Sequence, residues 1–195
     1  MVGMTSVALL AVLGTGIAVP APEAPPPSPS DSKVSAVIKD ARGQTVGTLQ
    51  IEDSGNGKSL VTVAVAGLSP GFHGLHIHSR GVCDPDSKDP ATGSPFFNAG
   101  PHLGAGEHPN HTGDLPNLLV GEDGIAGASY VTDRFVVRQL ITRQGTSVVI
   151  HSKPDNMANI PDRYSHDGKT GPDAETLKAG DSGNRIACGV IGSRR

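Results

Sequence analysis

The sequence predicts an all-β protein: a Greek-key β-sandwich or barrel of about eight antiparallel strands with two long functional loops. Three observations carry this. From Val34 onward apolar residues alternate or run in short blocks, glycine turns punctuate them, and no stretch shows an i, i+3, i+4, i+7 apolar pattern. With 26 Gly and 16 Pro, the composition argues against long helices. In order, SAVIKD, TVGTLQIED, the turn SGNGKS and LVTVAVAG read as an antiparallel meander. GFHGLHIH reads as a further strand. PNLLVGEDGIAGASYV places two β-rich runs around Glu122-Asp123-Gly124 and predicts a hairpin. TSVVIHS and RIACGVIG are strands of buried character. Residues 80–116 and 153–184 fit no strand, and loops that long in a compact domain are usually functional.

A chain of 195 residues accommodates one domain of ordinary size. Residues 1–19 form an apolar run without acidic residues, of the length of a signal-peptide core, so export to the cell envelope or medium is expected, with no stable membrane span after processing. An uncleaved N-terminal anchor is the alternative. Residues 20–32, with six of the 16 prolines, read as an extended linker, and 33–195 as the folded domain. A net charge of −3 and 3% aromatics supply neither a basic footprint nor stacking rings, which excludes nucleic acid as an expected partner.

Histidines carry the chemistry. In H-I-H, His76 and His78 project from one strand face and can ligate one ion. His73 has the opposite parity and is expected to be structural. His102, His108, His111 and Asp114 lie in a glycine-rich stretch and match the N/O donor set that zinc takes in a closed tetrahedral site. His151 ends another apolar run, whereas His166 reads as a solvated loop residue. Cys83 and Cys188 are the only cysteines, and in an exported chain one disulfide is the natural reading, two buried thiols being the alternative.

The segments GFHGLHIH, HTGDLPN, VVIHSKPDN and GDSGNRIACGVIG, in this order, resemble the copper/zinc superoxide dismutases over roughly residues 34–193. The resemblance implies disproportionation of superoxide, copper and zinc as cofactors, and a homodimer as one assembly. It implies copper ligands His76, His78, His102 and His151, and zinc ligands His102, His108, His111 and Asp114. Asp155 would hydrogen-bond a ligand histidine of each metal, His73 would be structural, and Cys83–Cys188 the internal disulfide. Arg185 would attract the anion and His102 would carry a proton, with Lys153, Lys169 and Lys178 as further cations. His111 follows His108 by only three positions, closer than is usual in the family. A copper-only dismutase and a catalytically silent copper-binding relative stay open on sequence alone.

Overall fold

The structure is a computed structural model that describes residues 32–192, so the expected signal peptide and nearly all of the linker lie outside the described residues. The meander forms as expected: β1 (Lys33–Asp40), β2 (Thr45–Gly55) and β3 (Lys58–Ala66). Alternation decides which face is buried. Val34, Ala36 and Ile38 of β1, Leu49 and Ile51 of β2, and Val61, Val63 and Val65 of β3 all enter one core, while the residues between them face outward or are only half-buried.

Five further long strands complete the sheet: β4 (Gly71–His78), β5 (Asp114–Val120), β6 (Ile125–Thr132), β7 (Thr146–His151) and β10 (Arg185–Ile191). The antiparallel order is β5-β4-β7-β10-β1-β2-β3-β6. This corrects the expected hairpin. Gly121 N–H donates to the Ile125 carbonyl (2.9 Å), so the turn exists, but β5 pairs with β4 and β6 with β3. The turn therefore joins the two outer strands of one curled sheet, because both strands find partners of longer sequence separation.

Strands β4 and β7 differ from the meander in being buried on both faces. Leu75, Ile77, Val148 and Ile150 fill the main core. The opposite side of these strands presents His76, His78 and Val149, and the two long connections roof it. Val149 packs there with Phe96, Ala99 and Cys188. The connections hold more structure than expected. The first ends at Gly113, because β5 already starts at Asp114. The second contains a small hairpin of β8 (Ser165–His166) and β9 (Lys169–Thr170), then helix α1 (Ala174–Ala179), N-capped by Asp173 through Thr176 N. His166 is exposed on that hairpin.

Two register shifts face the roofed side. Between His73 and Leu75 the extra residue belongs to β5, and between Arg185 and Ala187 it belongs to β10. Such bulges turn side chains away from the pleat. Here they lie beside Asn117 and Arg185, both of which reach into the site. Among the described residues, no helix is long and apolar enough to cross a membrane.

Candidate metal centre

Seven of the eight histidines are buried polar residues, and six of them converge. The rings of His76 and His102 have centroids 4.0 Å apart, and those of His78 and His102 4.9 Å. Candidate ligand atoms of His76, His78, His102 and His151 all lie within 4.8 Å of one another. Each ring keeps one nitrogen satisfied. His76 Nε2 lies 2.9 Å from Asp155 Oδ2, His78 Nδ1 2.8 Å from the Gly100 carbonyl, and His151 Nδ1 3.0 Å from the Gly183 carbonyl. His102 Nδ1 lies 2.7 Å from Asp114 Oδ1.

The other nitrogens, His76 Nδ1, His78 Nε2, His102 Nε2 and His151 Nε2, are buried without a hydrogen-bond partner. A buried polar atom left so costs about 1–3 kcal/mol. Four of them facing one another fit a soft to borderline metal ion with an affinity for imidazole, such as copper. The outer hydrogen bonds fix which nitrogen points inward.

A second group surrounds Asp114. Its Oδ2 lies 3.1 Å from both His108 Nδ1 and His111 Nδ1, and its Oδ1 contacts His102, so three Nδ1 atoms gather on one buried carboxylate. Ligand atoms of His76, His102, His108 and Asp114 also lie within 4.8 Å of one another. His76 directs its unpartnered Nδ1 to the first cluster and its Nε2 to Asp155, while His111 reaches the second group through Asp114 Oδ2.

Asp155 ties the two groups together. Its carboxylate accepts from His76 Nε2 (2.9 Å), His108 Nε2 (2.7 Å) and Met157 N–H (2.7 Å). The Asn117 side chain grips the Asp155 backbone at two points, both 2.8 Å. His73 stands apart from the cluster. Its Nδ1 lies 2.7 Å from the His151 carbonyl and its Nε2 2.9 Å from that of Ser69, a structural placement.

Arg185 opens β10 opposite His151. Its guanidinium donates to the carbonyls of Phe96 (2.6 Å), Phe97 (3.2 Å) and Gly100 (2.7 Å). Phe96 has φ 59, a left-handed conformation rare for an aromatic residue, and its carbonyl accepts the shortest of these bonds. Gly100, at φ 81, accepts from both Arg185 and His78, and a Cβ there would lie 2.7 Å from Ser79 Oγ. Arg185 lines a cavity of about 400 Å³ whose floor includes His78, His102 and His151 and whose rim includes Lys178, Glu175 and Asp89. Lys169 belongs to a different cavity, beside the hairpin.

Burial dictates the protonation of the rings. It lowers His76 against the raising effect of Asp155, and pushes His78 and His151 well below the ordinary value. It lowers His102 to about 4 in spite of Asp114. His108 runs the other way: burial would lower it, but the carboxylates of Asp114 and Asp155 on its two sides raise it to about 9. Burial would raise Asp114, yet the His102 and His108 rings hold it well below the usual carboxylate range.

A pH dependence of the metal-free fold follows. In the unfolded chain these rings titrate near 6.5. For the four lowered histidines the unfolded state binds more protons, so stability is full above about pH 6.5 and is lost as the pH falls towards 4. His108 contributes stability present below about pH 6.5 and lost as the pH rises through about 9. Four rings outweigh one. The thermal midpoint of metal-free protein is therefore expected to drop steeply from about pH 6.5 to 4. Differential scanning calorimetry across that range checks this, and a flat midpoint contradicts it.

Sequence reasoning placed the histidines and both aspartates but passed over Asn117, Ser182, Ser94 and the backbone carbonyls that accept from His78, His151 and Arg185. Ser182 Oγ lies 3.1 Å from His151 Nδ1, and Ser94 Oγ accepts from Arg185 N–H at 2.8 Å. Asn117 and Ser182 sit inside HTGDLPN and GDSGNR, but neutral side chains carry no chemical signal of their own.

Residues 45–191 match the family described as Copper/zinc superoxide dismutase (SODC). A protein of Mycobacterium tuberculosis named superoxide dismutase (Cu-Zn) is 43% identical over 178 residues, spanning 85% of this chain and 72% of its own. One of the same name from Mycolicibacterium paratuberculosis is 41% identical over 92% of this chain and 80% of its own. A crystal structure of the clock protein EA4 matches with a TM-score of 0.65 at 27% identity, covering 84% of this chain and 95% of that one. With three quarters of its length inside the family match and its histidines gathered as two adjoining donor sets, the chain belongs to the copper/zinc superoxide dismutase family.

Proposed function

We propose that His76, His78, His102 and His151 hold copper, that His102, His108, His111 and Asp114 hold zinc, and that superoxide disproportionation takes place at the copper set. The observation that carries the assignment is the set of four unpartnered, buried nitrogens facing one another. Bound there, copper would supply the one-electron chemistry by which one superoxide is oxidised to oxygen and a second, with two protons, is reduced to hydrogen peroxide; zinc would supply none.

The protein's own groups do the rest. His78 and His151 are held as neutral rings by burial, with Nε2 free for the metal. His102 belongs to both sets, with Nδ1 beside Asp114 and Nε2 unpartnered. Its Nε2 would hold a proton and give it to the departing peroxide, while Nδ1 stays beside Asp114. Arg185, anchored by three carbonyls, presents its charge in the cavity above His78 and His102 and attracts the anion. Lys178 stands on the same cavity wall and assists. Lys153 and Lys169 are solvated charges.

The disulfide fits an oxidising compartment, and with the apolar N-terminal run it supports export. Phe72 and Leu119, paired across β4 and β5 and 53% and 58% exposed, offer an apolar patch for the homodimer that the family resemblance implies.

The test is metal content by mass spectrometry together with superoxide consumption. Copper and zinc near one each per chain and an active enzyme are expected. Arg185→Ala should keep both metals, lower kcat/KM about tenfold and flatten its dependence on salt. Inactivity after copper reconstitution overturns the catalytic reading; activity with copper alone overturns only the zinc set.

A further inference from the structure

We propose that Arg134, which lies outside every motif discussed above, is a positioning residue that shapes the zinc site by clamping the backbone between His108 and His111. The inference rests on the zinc set proposed above and concerns how a four-residue turn can supply two ligands to one ion.

That turn is short. His108, Pro109, Asn110 and His111 must aim two rings at one carboxylate across three peptide bonds, and glycines at 104, 106 and 113 flank the segment. Few contacts of its own hold it. Asn110 N–H donates to the Glu107 carbonyl (2.8 Å) and Asp114 N–H to that of His111 (3.2 Å). Asp114 Oδ2 also accepts from the His111 N–H (2.9 Å). Further support comes from outside. On one side, the His108 N–H donates to the Leu177 carbonyl of α1 (2.8 Å). On the other, the Arg134 guanidinium reaches across from the end of β6.

One atom of that guanidinium, Nη1, donates to the carbonyls of Pro109 (2.9 Å) and His111 (3.0 Å). The two acceptors bracket Asn110, so the contact sets the curvature of the turn. Arg134 itself is positioned by its backbone N–H, which bonds Thr132 Oγ1 at 3.2 Å, and by Phe135, which is buried in the main core. The side chain is exposed and touches no copper-set residue, so its influence is confined to the zinc side. Partners outside the ligand set that orient a metal ligand are commonly worth 10- to 100-fold in affinity. An exposed arm acting through backbone carbonyls belongs at the lower end of that range.

The experiment compares the full chain with Arg134→Ala and Arg134→Lys, using zinc alone as the probe, with affinity read by competition against a chromophoric chelator. Cobalt(II) substitution reports the geometry of the site through its visible bands. Arg134→Ala is expected to lose about tenfold in zinc affinity and to shift the cobalt spectrum. Its copper affinity and copper EPR signal should stay within about twofold of wild type. Lys, whose Nζ can donate to both carbonyls, should recover most of the loss. Wild-type-like zinc affinity in Arg134→Ala overturns the proposal, as does an equal loss of copper, which would mark a general folding defect. Absence of zinc binding by the wild-type chain overturns the zinc set itself and the clamp with it. That result is distinguishable, because it precedes any mutation.

Discussion

Replacing Asp155 with asparagine is expected to lower the affinity for zinc by up to about 100-fold and to weaken copper binding as well. The residue is 4% exposed, and its carboxylate is the one group that hydrogen-bonds both His76 and His108. Those bonds hold Nε2 of each ring and leave Nδ1 for the metal proposed above. Asparagine retains one acceptor oxygen, so one ring keeps its partner and the other must turn or meet an amide donor. The carboxylate charge is lost too. Burial would raise Asp155, but His108 and His76 hold it well below the usual carboxylate range, so it is ionised wherever the enzyme works. Chelator competition for each metal in turn checks this. Unchanged affinity for both would show that the rings are oriented by packing alone. The Gly180 position explains why space is tight: it adopts φ 58 at the end of α1, and a Cβ there would collide with the Asp155 carboxylate.

Removing the disulfide, with Cys83→Ser and Cys188→Ser together, is expected to cost up to about 4.7 kcal/mol in stability. The bridge spans 105 residues and joins the first long connection to β10, with the Cα atoms 5.6 Å apart. Its function extends past stability. Cys188 packs with Phe96 and Ala99, the segment whose carbonyls hold Arg185, and only two residues separate it from Arg185 along β10. Without the bridge, that segment is held to the barrel by Val149 packing and by hydrogen bonds alone. Activity at a temperature well below unfolding should therefore fall along with the denaturation midpoint. Urea titration and superoxide consumption on the double variant measure the two separately. A lower midpoint with unchanged activity would confine the bridge to stability.

How far the site could be read from the residues depends on sequence separation. His76 and His78 were legible as a pair because strand geometry puts alternate residues on one face. His111 and Asp114, three apart in a turn, were legible for a similar reason. The carboxylate that joins them to the other metal set was legible only through family resemblance, since Asp155 is 79 residues from His76. The Phe96 carbonyl was not legible at all: every residue has one, and which of them points at Arg185 follows from a left-handed backbone inside a long connection.

The same division runs through the fold. The chain on its own dictates an all-β barrel, its meander, its paired cysteines and its metal-binding character, because alternation, turn chemistry and side-chain donors are properties of neighbouring residues. Strand partners are not. The run around Glu122-Asp123-Gly124 has a hairpin's local signature, yet β5 and β6 take the two ends of the strand order and pair with β4 and β3 instead of each other. Burial of the whole barrel favours pairings made across long chain separations. Those pairings gather three short segments of histidine onto the outer side of β4 and β7 and bring Arg185, Asn117 and Arg134 to positions that no local pattern specifies.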